Sequence, residues 1–502
     1  MKLFTTSQIR GLDQYTIDHE PVASLELMER AADALFESLL GMYPFNSTPF
    51  CIIAGPGNNG GDALALARKL KEAGYPVHVC LYSSGNLSAD CSSNRIRLLR
   101  SHPEIITEHL NDYVAPVIRP DAVVIDGLFG SGLTRPLTGI FAQVVDAINL
   151  TPNEVVSIDM PSGLLGDSLH KAGQSTVYAN YTLSFQVPKL AFFYPENDEF
   201  VGRWSILDID LHPEGIAGTE TPFYYQDAES VRPLLKKRSH FAHKGSCGHL
   251  AILAGCKGMA GASILSARAA LRTGVGLLTV HGPEGNRCIL QTIVPEVIYD
   301  ADPHLECISE FYHANKYDAL AIGPGMGTRT ASAEMMRQLL QQSRPPAVFD
   351  ADALNILSMH DTLLPQVPKG SILTPHPGEF ARLFGETRNS MEQLEEARVM
   401  AATHEVIIVL KGAHTRIVTP QGKVWFNGSG NPGMATAGTG DVLTGIIGSL
   451  LAQGYDPESA ARLGVFLHGL AADLALKDQS EESLLASDII ESLGAAFLYL
   501  KQ

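Results

Sequence analysis

Nowhere does the sequence approach the roughly 18 uncharged apolar residues that a membrane span requires, so no membrane partner is expected. Positive charge is scarce too: 37 Lys and Arg against 54 Asp and Glu leave a net charge of −17. Phosphate backbones and anionic lipids need clustered cations, which argues against nucleic acid as a partner. The basic stretch KKRSHFAHK, Lys236 to Lys244, is short and reads as a solvated linker edge. Seven cysteines contain no C-x-x-C pair and, being odd in number, cannot all pair internally. Several sit in apolar runs, where Cys behaves as a small hydrophobe, a usage that fits a reducing compartment. The start, MKLFTTSQIRGLDQ, has neither an apolar core nor an Arg-rich, acid-free character, so no targeting signal is read and a cytoplasmic location is expected. No G-x-x-x-x-G-K-[ST] occurs, which sets aside the P-loop hydrolases.

What is present is glycine and a regular rhythm. With 502 residues, 45% hydrophobic content and 46 glycines, the chain reads as an α/β protein too long for one core. SLELMERAADALFESLL (24–40) has helical spacing, with Ser24 as its expected cap. FCIIAG then reads as a buried strand, PGNNGGD as a turn, ALALARKLKEAG as a helix and YPVHVCLY as the next strand. That βαβ unit implies a parallel sheet covered by helices on both faces. Further strands are expected in DAVVIDGLFGSG, EVVSIDMPSG, YTLSF and WSILDID. From about Leu211 to Lys237 the pattern weakens into turn formers, placing a domain boundary there, between domains at 1–217 and 226–502. The rhythm restarts with HLAILAGCKGMAGASILSARAALRTGVGLLTV.

Gly55, Gly57 and Gly60 spell G-x-G-x-x-G between a strand and a helix. The second strand carries no terminal acid to hold a ribose, so a polar-ligand or phosphate loop is expected instead of a hydride-transfer site. Asp126 and Asp159 each end a strand before a glycine loop. Either caps a turn, or with Asn59 they supply hard oxygen ligands suited to K⁺, Mg²⁺ or Ca²⁺. His240, His243 and His249 lack the helical spacing of a zinc site.

In the second half, NPGMATAGTGD (431–441) can offer consecutive backbone N–H groups to an anion, because its glycines leave no side chain in the way. The apolar segment after it reads as a buried helix whose dipole points at the same anion. A carboxylate beside bound phosphate is repulsive unless it has work to do. For Asp441 that work is accepting the proton of an attacking hydroxyl; otherwise it is an N-cap.

These segments carry a resemblance. GTGD with its downstream helix is similar to the anion hole and acid of the ribokinase-like superfamily. LTPHPGEFARLFG, VLKGAHT and NPGMATAGTGDVLTGIIGSLLAQG extend the likeness to the dehydratases that repair hydrated NADH and NADPH. GPGNNGGDALALAR, DGLFGSGLTRP and IDMPSGL resemble NAD(P)H-hydrate epimerases. Together they resemble the bifunctional NAD(P)H-hydrate repair family. The resemblance implies an N-terminal Rossmann-like three-layer α/β/α domain and a C-terminal ribokinase-like α/β/α domain. In the first, Asn58, Asn59, Gly60, Gly61 and Asp62, with Gly130, Ser131, Gly132, Leu133, Thr134, Arg135 and Pro136, would contact the hydrated cofactor. Asp159 would stand near the reacting carbon, and Asn59, Asp126 and Ser162 would bind K⁺. In the second, Ala262, Gly325, His376, Pro377, Gly378, Glu379, Phe380, Ala381 and Arg382 would hold the substrate. Lys411, Gly412, Ala413, His414 and Thr415 would bind ADP with its Mg²⁺. So would Asn431, Pro432, Gly433, Met434, Ala435, Thr436, Ala437, Gly438, Thr439 and Gly440, with Asp441 as base.

The chemistry implied is repair of a C6 hydroxyl on the reduced nicotinamide ring. ADP would phosphorylate that hydroxyl, and elimination would restore the double bond, leaving AMP and phosphate. The first domain would interconvert the R and S epimers, and the family's habit of assembling suggests a homo-oligomer. The rival reading is a small-molecule kinase fused to a binding domain without chemistry.

Overall fold

The computed structural model describes residues 1–342 and 345–502. They form two compact units, Lys2–Thr221 and Pro222–Gln502, the latter with Met1.

The first unit is built on seven strands: β1 (Phe50–Ala54), β2 (Val77–Ser83), β3 (Ile106–Leu110), β4 (Val123–Gly127), β5 (Val155–Ile158), β6 (Tyr181–Phe185) and β7 (Arg203–Leu207). They lie in the order β3-β2-β1-β4-β5-β6-β7, with neighbours parallel throughout. Each residue of β1, β4 and β5 is buried, as a sheet covered on both faces demands. Strand order reverses between β1 and β4, and ligands of open α/β sheets bind beyond the strand carboxyl ends at such a switch point.

Helices α1 (Thr6–His19), α2 (Ser24–Met42) and α3 (Asn58–Glu72) flank this sheet. Helix α2 buries Leu27, Met28, Ala31, Ala32, Leu35 and Leu39, the i, i+3, i+4 stripe its sequence shows. Ser24 is not its cap. Ala23 takes that place, its N–H bonded to Glu26 Oε2 at 3.0 Å, while the Ser24 hydroxyl donates to Asp90 Oδ2 at 2.5 Å. The segment NNGGD is likewise not a turn: Gly57 is the N-cap, and Asn58 to Asp62 form the first turns of α3. The glycines are needed there for closeness. A Cβ on Gly60 would lie 1.8 Å from the Gly55 carbonyl oxygen, and one on Gly55 would lie 1.8 Å from that of Leu128. Backbone cannot step aside as a side chain can, so Gly60→Ala is expected to destabilise this unit by about 3 kcal/mol. A urea midpoint within error of the parent would contradict that packing.

The second unit holds ten strands: β8 (Phe223–Gln226), β9 (His249–Leu253), β10 (Leu277–Pro283), β11 (Ile298–Asp302), β12 (Ala319–Ile322), β13 (Ala347–Phe349), β14 (Ile372–Leu373), β15 (Ile407–Leu410), β16 (Arg416–Val418) and β17 (Val424–Asn427). Their order is β11-β10-β9-β12-β13-β14-β15-β16-β17-β8. β11 to β15 run parallel, β15-β16-β17 is an antiparallel meander, and β8 returns parallel to β17. Strand β8 comes from the stretch whose turn formers read as a linker; pairing with β17 overrides that local composition. The switch point here lies between β9 and β12. Helix Thr439–Ala452 buries every residue from Val442 to Ala452 and packs between helices Ala260–Thr273 and Pro457–Ala475. Each Leu or Ile so covered contributes about 1.5–3 kcal/mol. Among the described residues no helix is long and apolar enough to cross a membrane.

Candidate functional site

In both units the carboxyl ends of the parallel strands carry many of the residues singled out in the sequence. In the first unit Asp126 ends β4 fully buried, its Oδ1 2.5 Å from Ser162 Oγ and its Oδ2 accepting from Ser162 N and Ser157 Oγ, each at 2.8 Å. Burial drives the Asp126 carboxyl above its usual range, with these donors opposing. Asn59 lies alongside. A Cβ on Gly130 would sit 2.9 Å from both Asn59 Oδ1 and Asp159 Oδ2, so the glycine lets the loop after β4 close over them. The Asn59 side-chain nitrogen is buried with no hydrogen-bond partner among the described residues. A buried carboxylate, a hydroxyl and the amide oxygen of Asn59 are hard oxygen groups, while the unpartnered amide nitrogen is a donor and adds nothing to that set. By donor type such oxygens would suit an alkali or alkaline-earth cation over zinc.

Asp159 follows β5 with φ +64°, a conformation uncommon for a residue with a side chain and typical of over-determined functional positions. Its Oδ1 is 2.8 Å from Lys189 Nζ, and its Oδ2 accepts from Ser131 N at 2.9 Å. Lys189 is 1% exposed and also donates toward Ser184 Oγ, Phe185 O and Val187 O at 2.9–3.1 Å. Burial alone would raise the Asp159 carboxyl, but Lys189 and Ser131 outweigh it and hold it below the ordinary range. Next to this pair lies a cavity of about 300 Å³, lined by Arg10 and Asp13 of α1, Met28 of α2, Asn58 and Asp62 of α3, and Phe185. Asp62 is 8% exposed, and no hydrogen bond from a described residue reaches its carboxylate. Burial, with Asp159, Asp13 and Asp90 nearby, pushes it well above the usual range. Of the loop after β4, Gly132 is tied to α1 through its carbonyl, which accepts from Arg10 at 2.6 Å. Leu133 is half-buried, while Thr134, Arg135 and Pro136 face solvent.

In the second unit the carboxyl ends of β12 to β15 deliver Gly325, Asp350, the His376 helix and Lys411. Gly325 (φ +58°) comes within contact of Ala262, where a Cβ would lie 3.0 Å from the Ala262 Cβ. His376 caps helix Pro377–Phe384, its N–H donating to Glu379 Oε2 at 2.8 Å, while Phe380 is wholly buried and Arg382 donates to Asn355 Oδ1 at 3.0 Å. Lys411 Nζ stands 2.8 Å from Asp350 Oδ1 and 3.5 Å from Glu379 Oε2, and Thr444 Oγ1 donates to Asp350 Oδ2 at 2.7 Å. Burial would lower the Lys411 ammonium, but the two carboxylates keep it above its ordinary value. Ala351, between Asp350 and Asp352, has φ +47°, a strained turn at the strand end.

Gly438 opens helix Thr439–Ala452 in the left-handed region (φ +91°), where a Cβ would lie 2.5 Å from Leu265 Cδ1. Beyond it, Thr439, Gly440 and Asp441 present the amide N–H groups that a helix's first turn leaves without an intrahelical partner. Burial, then the charges of Asp350 and Asp352, push the Asp441 carboxyl up to about 7, with Lys411 opposing. No hydrogen bond from a described residue reaches that carboxyl. Asn431 braces the approach, donating to Asp473 Oδ1 at 3.0 Å and accepting from Gly433 N at 3.1 Å. Asn431, Met434 and Thr436 are half-buried, whereas Pro432, Ala435 and Ala437 lie open, as do Gly412 and Ala413; His414 and Thr415 are half-buried.

Sequence reading missed Asp13, Lys189, Asp350, Thr444 and His468. Asp350 had a signal, since VFDAD repeats the acid-after-strand pattern of VVIDG and VSIDM. Burial and Lys411 depress buried His468 to about 4, so it stands neutral beside the anion cradle. Nothing local in the sequence points to it.

Two protein families match the chain in tandem: residues 24–191 match the family described as YjeF-related protein N-terminus, and residues 250–494 that described as NAD(P)H-hydrate dehydratase. The bifunctional NAD(P)H-hydrate repair enzyme of Moorella thermoacetica is 34% identical, with 98% of this chain and 96% of that one covered. Its counterpart in Escherichia coli is 32% identical over 93% and 88% of the two chains. The crystal structure of an ADP/ATP-dependent NAD(P)H-hydrate dehydratase from Bacillus subtilis, co-crystallised with ATP and Mg²⁺, is 31% identical, covers 55% of this chain and 98% of its own, and has a TM-score of 0.48. With about one-third identity over nearly the whole chain and both family models matched in tandem, this chain belongs to the family of bifunctional NAD(P)H-hydrate repair enzymes.

Proposed function

We propose that the chain repairs hydrated NADH and NADPH, its first unit interconverting the C6 epimers and its second dehydrating the S epimer with ADP. What carries the reading is the unpartnered Asp441 carboxyl on the first turn of a buried helix, beside Lys411. The nucleotide's terminal phosphate would lie against the amide groups from Gly438 to Asp441, with segments 411–415 and 431–437 holding the rest. The substrate would lie against Ala262, Gly325 and the 376–382 helix. Asp441 takes the proton from the C6 hydroxyl as its oxygen attacks phosphorus, and the amide groups stabilise the charge that develops. As the new oxygen–phosphorus bond forms, the bond from that phosphorus to the AMP oxygen breaks and AMP leaves. Hydroxide is a poor leaving group and phosphate a good one, so phosphate then departs from C6 while C5 gives up a proton to solvent, which restores the C5–C6 double bond. A magnesium ion carried by the nucleotide would neutralise its phosphates next to Asp441. In the first unit Asn59, Asp126 and Ser162 would hold K⁺, supplying fixed positive charge under the Gly130 loop, and residues 58–62, 130–136 and Asp159 would contact the cofactor.

Incubating each epimer with ADP and following recovery of reduced-nicotinamide absorbance tests this. Both epimers should be recovered, and an inert S epimer would overturn the reading. A base must be ionised to act, so kcat/KM for the S epimer is expected to rise with pH through about 7 and then level. A profile falling over that range would place the proton elsewhere.

A further inference from the structure

Two carboxyl groups, Asp13 and Asp62, line the first unit's cavity, Asp159 lies close enough for its charge to act on both, and the three stand in different company. Asp159 is locked against buried Lys189 at 2.8 Å. Asp62, nine-tenths buried with no hydrogen-bond partner among the described residues, lines the cavity, a polar group left for a ligand to pair. Asp13 shares that cavity from α1, and no hydrogen bond or ion pair from a described residue reaches it. Apolar Ile17, Leu27 and Ile209 line the same cavity. A carboxyl with no ion-pair partner, in a cavity lined in part by apolar side chains and near other carboxylates, favours its neutral form. The charged or titratable groups around it are Arg10 on its own helix, Asp62 on α3, and Asp159 with Lys189 beyond β5 and β6.

We propose that Asp13 is the acid of the epimerisation and Asp159 its base, so that the first helix completes the epimerase site. This rests on the function proposed above and goes on to assign its proton transfers. Asp13 gives its proton to the C6 hydroxyl, and the C6–O bond breaks with its electrons leaving as water. The ring nitrogen's lone pair forms the C=N bond of an iminium. Water adds to the opposite face, the C=N electrons return to nitrogen, and the added water's proton passes to Asp159. Proton exchange with solvent resets the two carboxyls. The reverse direction uses the complementary state, in which Asp159 is the acid and Asp13 the base, as microscopic reversibility requires. Burial and the Asp159 charge support the assignment, pushing the Asp13 carboxyl up to about 6 against the opposing Lys189.

The test uses the full chain and the R epimer without ADP, so that only interconversion is read, by chromatographic separation of the epimers. Asp13→Asn is expected to slow it by about 100-fold or more, and Asp13→Glu, which keeps an acid, to recover most of the loss. Dehydration of the S epimer with ADP should be unchanged in both. Interconversion by Asp13→Asn within threefold of the parent overturns the proposal. The parent alone supplies a further measurement, independent of how the variants fold. Its interconversion kcat/KM should fall about tenfold per pH unit above about 6, and a flat limb there also overturns it. In heavy-oxygen water the product should carry solvent oxygen at C6; its absence excludes the water-loss step. If the parent interconverts neither epimer, the epimerase reading itself fails, an outcome distinct from all of these.

Discussion

Asp441→Asn is expected to keep its nucleotide and lose its chemistry, with dehydration of the S epimer falling on the order of 10³-fold. Asparagine matches the shape of aspartate, so the cradle from Gly438 to Gly440 persists. The amide accepts no proton, and the attacking hydroxyl stays protonated. Nucleotide affinity should hold or improve, because a carboxylate no longer faces phosphate. The same substitution should stabilise the ligand-free protein. Asp441 is raised to about 7 by burial and by the neighbouring charges of Asp350 and Asp352. A carboxyl raised on folding favours the native state while protonated, fully so below its unfolded value near 4, and loses that advantage as pH rises through about 7. At pH 8 the parent therefore holds an unwelcome buried charge, and removing it is expected to add about 1–2 kcal/mol. Below about pH 4 the difference should vanish. Thermal melts at the two pH values, alongside the assay, check both halves. Substantial dehydration by the asparagine variant would falsify the role of the carboxylate.

Lys189→Met should cripple the other unit. The native pair is buried on both sides, Lys189 at 1% and Asp159 at 6% exposure. Losing one member of such a pair leaves an uncompensated charge and costs about 3–5 kcal/mol, far more than any surface ion pair. For a unit of this size that lowers its melting transition by roughly 10 °C. Asp159 also loses the group that keeps it ionised, so epimerisation should drop with it. S-epimer dehydration, performed by the second unit, should survive at a temperature where both remain folded. The pH dependence carries the sign. In the parent, a depressed Asp159 contributes stability present above the unfolded carboxyl value and lost as pH falls through the lower folded one. In the variant the buried carboxylate is a liability relieved by protonation, so its deficit should narrow as pH falls toward 5. A deficit constant across that range would mean that the cost is one of packing and not of charge.

Much of this site is legible because its signals are local. Strand β1, the glycine stretch after it, the acids ending β4 and β5, and the GTGD turn before an apolar helix each occupy a dozen residues or fewer. Local chemistry fixes them: β-branched runs bury as strands, and bare backbone marks close approach. Where local reading failed, longer-range contacts had prevailed. Ser24 yields the cap to Ala23 because Glu26 closes the first turn and Asp90 takes the hydroxyl. Phe223–Gln226 is a strand because β17, some two hundred residues later, offers it an edge.

The sequence by itself determined which groups stand at the carboxyl ends of the strands, because apolar runs and glycine turns set those positions residue by residue. Only the tertiary structure decided their protonation and partners. Lys411 meets Asp350 across 61 residues and Thr444 meets Asp350 across 94, while Asp13 reaches the cleft on a helix that no neighbouring segment foretells. Charge states follow from burial and from which ions end up side by side, and those are properties of the folded space, not of order along the chain.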